Sequence, residues 1–269
     1  MDNTIHTLLQ AMWEDYLELA PDARSIHDLF AASNNGVVVN DHIALRTYNL
    51  PRVNLGVIAS AFIDYGYVEG GDYEFPARKL FAKHFQHPDP KLPKVFISEL
   101  LVEELSEQAQ KQISSLIDQI PPEATQSPLF CYSGRPWQLD TNTYDELLAE
   151  SEYAAWVAAF GYRANHFTVS INHLSEPDNI TALNSLLQKH GYVLNDTGGL
   201  VKGSPDVLLE QSSTMAKKVT VDFTDGVREI PGCFYEFAKR YPAGDGNLYQ
   251  GFVAASADKI FTSTNTKAE

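Results

Sequence analysis

Two blocks of this chain repeat one another at nearly one offset, which limits its architecture more than any other feature. Asp41-His42-Ile43-Ala44-Leu45-Arg46 has a counterpart in Asn165-His166-Phe167-Thr168-Val169-Ser170, with the two histidines 124 positions apart. Each block precedes a helical pattern, roughly residues 53–65 and 177–190. Each helix then ends in the same turn, Gly66-Tyr67-Val68 and Gly191-Tyr192-Val193, whose glycines are 125 positions apart. A glycine just past a helix end is an ordinary left-handed stop, so one copy alone would carry little weight. Histidine strand, helix and Gly-Tyr-Val recurring together point to a duplicated structural unit. Further strand patterns follow in each copy, at 95–100 in the first and at 207–213, 219–223 and 233–237 in the second.

In a strand, residues two apart share a face. His42, Ala44 and Arg46 therefore point one way and Ile43 and Leu45 the other, while His166, Thr168 and Ser170 oppose Phe167, Val169 and Ile171. Both copies thus put a histidine and other polar groups on a face that an ordinary core fills with aliphatics. Two half-barrel sheets facing each other would bring both imidazoles into one cavity. A lone histidine in such a place is usually a satisfied core residue, but matched placement in two copies favours a shared site.

A third ligand is expected to be a carboxylate on a late strand of the second copy. Glu236, flanked by aromatics in Phe234-Tyr235-Glu236-Phe237, needs a buried partner, because burying a bare carboxylate is costly. Glu99 and Glu210 are rivals. Glu99 ends its strand, where capping or pairing is the simpler role, and only one of Glu210 and Gln211 can face inward. Two histidines and one carboxylate form the facial triad of non-haem Fe(II) oxygenases, with three positions open. Zinc takes the same donors, with a water completing a hydrolytic site. Arg46 suits bidentate capture of a substrate carboxylate, and a chain of net charge −15 needs such a local anion receptor. His84 and His87 have HxxH spacing, but His87-Pro88-Asp89-Pro90 marks a loop, so a solvated surface is expected there. The chain has no Gly-x-Ser-x-Gly elbow, no P-loop and no Gly-x-Gly-x-x-Gly opening a helix.

The rest reads as helix. Leu8, Leu9, Met12, Trp13, Tyr16, Leu17 and Ala20 recur at spacings of three and four until Pro21, and a shorter stretch follows at 25–32. Residues 102–120 and 143–160 read as helical insertions. We therefore expect an α+β fold in a single domain over 1–269. Paired βαβββ modules at 36–101 and 161–264 would form a half-open barrel around a metal site, with a helical N-terminus and a helical insertion at 102–160. With 44% hydrophobic residues there is material for a large core. The acidic balance excludes a basic nucleic-acid footprint. Cys131 and Cys233 stand apart, so neither a disulfide framework nor a structural zinc site is expected. No apolar run approaches the roughly 18 residues needed to cross a bilayer. The N-terminus lacks a basic segment followed by an apolar run. A soluble, cytoplasmic protein is expected; paired-module sheets often associate, so a homo-oligomer fits.

Several blocks together resemble the 2-oxoadipate dioxygenase/decarboxylase family, once a domain family of unknown function. They are Asp41 through Thr47, Asn165 through Thr168, Gln211-Ser212-Ser213-Thr214-Met215-Ala216, Ile230-Pro231-Gly232 through Glu236, and Ala257-Asp258-Lys259-Ile260-Phe261. The end of the chain, with Leu208-Leu209-Glu210, Phe234 through Arg240 and Gly251-Phe252, more distantly resembles 4-hydroxyphenylpyruvate dioxygenase. The resemblance implies the vicinal oxygen chelate superfold and Fe(II) held by His42, His166 and Glu236. It also implies a catalytic, substrate-binding Arg46, with His42 and His166 bordering the substrate. The implied reaction takes a small 2-oxo acid and O2, converting 2-oxoadipate to 2-hydroxyglutarate and CO2 in lysine degradation. Bacterial members are considerably longer, which leaves the identity of the 2-oxo acid open here. The competing readings are a zinc-dependent hydrolase or lyase on the same residues, and a non-catalytic binding module.

Overall fold

The computed structural model describes residues 4–244 and 246–265. Helix α1 (Ile5–Leu19) is capped by Thr4, whose side chain accepts from the Thr7 amide, and it buries Leu8, Met12, Tyr16 and Leu19. Pro21 ends that pattern and opens α2 (Pro21–Ser33), because a missing amide proton costs nothing in a first helical turn. Strand β1 (Asn40–Tyr48) is buried from Asp41 onward. Helix α3 (Leu55–Ile63), capped by Asn54, leads to β2 (Val68–Phe75), β3 (Leu80–Gln86) and β4 (Lys94–Leu100). These three run antiparallel in sequence, and β4 lies parallel beside β1.

Three helices follow: α4 (Glu107–Ile117), α5 (Thr141–Glu150) and α6 (Glu152–Phe160). The helical pattern expected over 143–160 breaks at Ser151, which is extended and whose side chain accepts from the Ala154 amide to start α6. Every residue of α6 from Tyr153 to Phe160 is buried, so it is a core helix. It is tied to β1 by Tyr48 donating to the Ala154 carbonyl (2.7 Å) and by the Thr47 amide donating to the Tyr153 hydroxyl (3.1 Å).

The second βαβββ unit repeats the first. It comprises β5 (Ala164–Ser170), α7 (Ile180–Lys189), β6 (Lys202–Ser204), β7 (Leu209–Ser213) and, after a hairpin, a last strand. The hairpin is β8 (Lys218–Phe223) with β9 (Gly226–Pro231), and the last strand, β10 (Phe234–Arg240), lies parallel to β5. Helix α8 (Ala254–Ile260) closes the described chain with a short turn.

The strand order is β2-β3-β4-β1-β5-β10-β7-β6. It reads the same from both ends, with the two units meeting at β1 and β5. This is the α+β half-barrel expected, with one correction. The units do not face each other as two sheets; β1 and β5 pair antiparallel in one continuous curled sheet. Hydrogen bonding along that seam satisfies two strand edges that facing sheets would leave open. The outer face is covered by α1, where Trp13 meets Phe167 edge-on at 5.0 Å and the Tyr16 hydroxyl donates to the Phe234 carbonyl. No helix among the described residues is long and apolar enough to cross a membrane.

Strands β2, β3, β6 and β9 carry no strong period-2 signal. In β2 the reason is visible at Gly70, where a Cβ would stand 2.2 Å from the His84 imidazole. A side chain there would force the buried His84 ring to shift, so a glycine interrupts the strand's pattern. Gly161, between α6 and β5, has φ +69° and would bring a Cβ within 2.1 Å of the Gly134 carbonyl. Gly161→Ala is expected to cost roughly 2 kcal/mol or more, read as a shifted urea midpoint; an unchanged midpoint would contradict this packing.

Candidate metal centre

The seam of the sheet positions the histidines. His42 lies opposite Thr168 and Ala44 opposite His166, so the two imidazoles project diagonally from neighbouring strands. On the far side of β5, the register places Glu236 opposite Thr168. One ligand atom from each of His42, His166 and Glu236 lies within 4.8 Å of the other two, and all three residues are buried. Glu236 Oε2 is 3.0 Å from His166 Nε2, and Oε1 is 3.5 Å from His42 Nε2. The repeat is not symmetric at the acid. The residue opposite Ala44 on β4 is Phe96, in the place that Glu236 holds on β10. One carboxylate therefore joins two histidines.

The residue before each histidine orients its ring. Asp41 Oδ1 lies 2.8 Å from His42 Nδ1, and Asn165 Oδ1 lies 3.1 Å from His166 Nδ1. Each oxygen accepts the Nδ1 proton, which leaves His166 Nε2 facing Glu236 and His42 Nε2 between the Thr168 hydroxyl, at 3.1 Å, and Glu236. Arg240 in turn grips Asp41, with Nε at 2.7 Å and Nη2 at 2.9 Å. Burial alone would raise the Asp41 carboxyl, but Arg240 and the His42 hydrogen bond hold it well below the usual carboxylate range. Burial pushes His166 down toward the neutral imidazole against the pull of Glu236. At Glu236, burial is outweighed by the two facing imidazoles and by Gln211, which donates to Oε1 at 2.6 Å. The result is one ionised carboxylate with an imidazole on either side.

The same cluster is deficient in positive charge. Glu236 Oε2 is buried with no hydrogen-bond partner, and neither arginine nor lysine forms an ion pair with this carboxylate among the described residues. A buried carboxylate in that state is costly. A divalent cation among these three donors offsets that cost, so the residues present fit a metal.

Arg46 lines the same cavity, with Phe96, Phe234 and Phe252 near the histidines and Ile260 and Phe261 at the other side. Its guanidinium is buried against Tyr153 and Trp156, each ring centroid 5.0 Å away, and Phe261 at 5.7 Å. Nη2 donates to Thr264 Oγ1 at 3.0 Å. Nε and Nη1 have no hydrogen-bond partner although both are buried. Phe252 meets the His42 ring edge-on at 4.8 Å.

The rival acids are engaged elsewhere. Glu99 accepts from the Leu55 amide at 2.8 Å, at the start of α3, and Glu210 accepts from the Tyr241 hydroxyl at 2.6 Å while its neighbour Gln211 faces inward. His84 corrects an expectation. It is not on a solvated loop but is 2% exposed on β3, with Nδ1 2.9 Å from the Tyr73 hydroxyl and its ring against Phe252. Burial pushes it down to about 4. The proline-rich loop begins only after Gln86, three residues later than the HxxH reading implied. Sequence reasoning also gave no role to Asp41, Asn165, Arg240 or Thr264. The first two carried a usable signal, a side-chain oxygen immediately before each repeated histidine. Arg240 and Thr264 carried none, since their partners lie 199 and 218 positions away.

Comparison with known proteins is consistent with this geometry. The family model described as 2-oxoadipate dioxygenase/decarboxylase matches residues 4–126 and 131–247. The Oryza sativa subsp. japonica protein named 2-oxoadipate dioxygenase/decarboxylase, chloroplastic/amyloplastic, is 36% identical over 289 aligned positions, covering 98% of this chain and 79% of the relative. Among solved structures, a Shewanella frigidimarina protein with a provisional hydrolase description is 60% identical, with TM-score 0.90, covering 95% of this chain and 100% of that one. Hydroxyglutarate synthase from Oryza sativa, solved in complex with 2-oxoadipate, is 35% identical with TM-score 0.91, covering 97% and 91%.

Proposed function

Because this chain belongs to the 2-oxoadipate dioxygenase/decarboxylase family, we propose that it is an Fe(II)-dependent dioxygenase that oxidatively decarboxylates a 2-oxo acid. The observation that carries the reading is the buried His42, His166 and Glu236 cluster with an orphaned carboxylate oxygen, sharing a cavity with a half-unsatisfied Arg46. The substrate proposed is 2-oxoadipate, which with O2 gives 2-hydroxyglutarate and CO2. The balance needs no second oxo acid. Lysine catabolism as the pathway and the cytoplasm as the compartment belong to the same proposal.

Iron, when bound, would activate O2 and pass to it the electrons that the substrate gives up on oxidative decarboxylation. The protein's own groups do the rest. His42, His166 and Glu236 hold the metal on one side and leave the cavity side to substrate. Arg46 stands four residues along the strand from His42, about 13 Å of backbone. The carboxylate that Arg46 receives is therefore the one at the substrate's far end, bound through the free Nε proton. Phe96, Phe234 and Phe252 keep bulk water from the reacting end, where low polarity strengthens each remaining charge interaction.

Arg46→Gln should leave iron content unchanged and raise KM for 2-oxoadipate about 10- to 100-fold, the worth of a buried charged hydrogen-bond pair. Loss of iron in that variant would show that Arg46 supports the metal and not the substrate. The reaction itself is tested by reconstituting the protein with Fe(II) without oxygen and then following O2 uptake and CO2 release with a panel of 2-oxo acids. Uptake matched by CO2 supports the dioxygenase. A second reading, a zinc-dependent hydrolase or lyase on the same residues, is favoured by the description of the Shewanella relative. Turnover that persists without O2 in a zinc-loaded protein would establish it. A binding module without activity would keep its ligand when Glu236 is replaced.

A further inference from the structure

We infer that Glu152 is the internal counter-ion of Arg46 and sets how tightly the site holds a second substrate carboxylate; this rests on the functional reading above. Glu152 is the first residue of α6, directly after the Ser151 cap. Its Oε1 lies 3.6 Å from Arg46 Nη1, and its side chain is 24% exposed while that of Arg46 is 1% exposed. At that separation it acts as a charge and not as a hydrogen-bond acceptor. Among the described residues it is the carboxylate that forms an ion pair with Arg46.

The pairing differs in kind from the other buried arginine. Arg240 spends Nε and Nη2 on the two oxygens of Asp41. Arg46 keeps Nε and Nη1 unbonded, so Glu152 offsets the charge while leaving the donors free. A far carboxylate entering from the metal side can take the Nε proton, while Nη1, on the other edge of the guanidinium, faces Glu152. The guanidinium then faces two carboxylates, and each weakens the hold of the other in a poorly hydrated site. Glu152 itself is partly exposed and lines a cleft with Arg78, Lys79, Glu150 and Phe261. Substrate and product are both dicarboxylates in the proposed reaction, so the same competition that lowers substrate affinity also releases product. A 2-oxo acid with a methyl group at the far end brings no charge to Arg46 and is indifferent to Glu152.

The test compares wild type with Glu152→Gln and Glu152→Ala, loaded with Fe(II) and kept free of oxygen. Each is titrated calorimetrically with 2-oxoadipate and with 2-oxohexanoate, which has the same chain length without the second carboxylate. Melting curves report folding of each variant. Both variants should bind 2-oxoadipate about three- to tenfold more tightly than wild type. 2-Hydroxyglutarate should inhibit their turnover at correspondingly lower concentration, while 2-oxohexanoate affinity moves less than twofold. Equal shifts for the two acids, or none for 2-oxoadipate, overturn the inference while leaving the functional reading in place. A wild type that binds both acids equally, or neither, overturns the assignment of Arg46 and the inference with it.

Discussion

Glu236→Ala is expected to abolish both iron retention and 2-oxo-acid-dependent O2 uptake. Groups that only orient metal ligands are typically worth 10- to 100-fold in metal affinity, and loss of a direct ligand should exceed about 100-fold. The reason lies in the asymmetry of the repeat: Phe96 occupies the equivalent place on β4, so no second acid can substitute. Glu99 and Glu210 are held by the Leu55 amide and the Tyr241 hydroxyl. The metal-free variant should nevertheless fold, melting a few degrees below metal-free wild type. Removing the carboxylate strands the Gln211 amide that donates to it at 2.6 Å and leaves a small cavity, together about 1–3 kcal/mol. Iron per protein after anaerobic dialysis, with a melting curve, checks both halves. One equivalent of iron retained with normal O2 uptake would remove Glu236 from the centre.

Asp41→Ala should act on stability and metal together. Asp41 is shared between the Arg240 guanidinium, at 2.7 and 2.9 Å, and the His42 ring, at 2.8 Å. Removing one partner of a buried pair leaves the other uncompensated, at about 3–5 kcal/mol. The His42 ring also loses the acceptor that fixes its tautomer, at about 10- to 100-fold in metal affinity. Asn165→Ala is the informative companion. It removes the matching acceptor from His166 without stranding a charge, so its stability cost should stay near 1 kcal/mol while its effect on metal is similar. Denaturant curves and metal titrations of the two variants separate the roles. If Asp41→Ala proves no more destabilising than Asn165→Ala, the Arg240 pair contributes little to the fold.

The repeated Asp/Asn-His strands and the Gly-Tyr-Val turns made the paired modules legible, because duplication preserves local pattern even when individual residues drift. The two histidines were legible for the same reason: each sits on a polar face where a strand of ordinary core would be aliphatic. Glu236 was legible through the oddity of an acid between aromatics. His84 was misread because HxxH spacing straddles a strand end, and one residue on β3 is buried while the next of the pair lies in the loop. Gly70 hid β2, since its bare Cα is needed by a ring from another strand and so contradicts the local strand pattern.

Local chemistry thus marked the candidate ligands, the βαβββ order and the acidic balance of this chain. Tertiary structure alone decided that β1 and β5 share an edge, that Arg240 reaches back across 199 positions to Asp41, and that Glu152 from an inserted helix faces Arg46. The physical reason is range. Periodicity, caps and turns are set by neighbours a few residues away, whereas a buried charge is assigned a partner only when distant segments pack against it and exclude water.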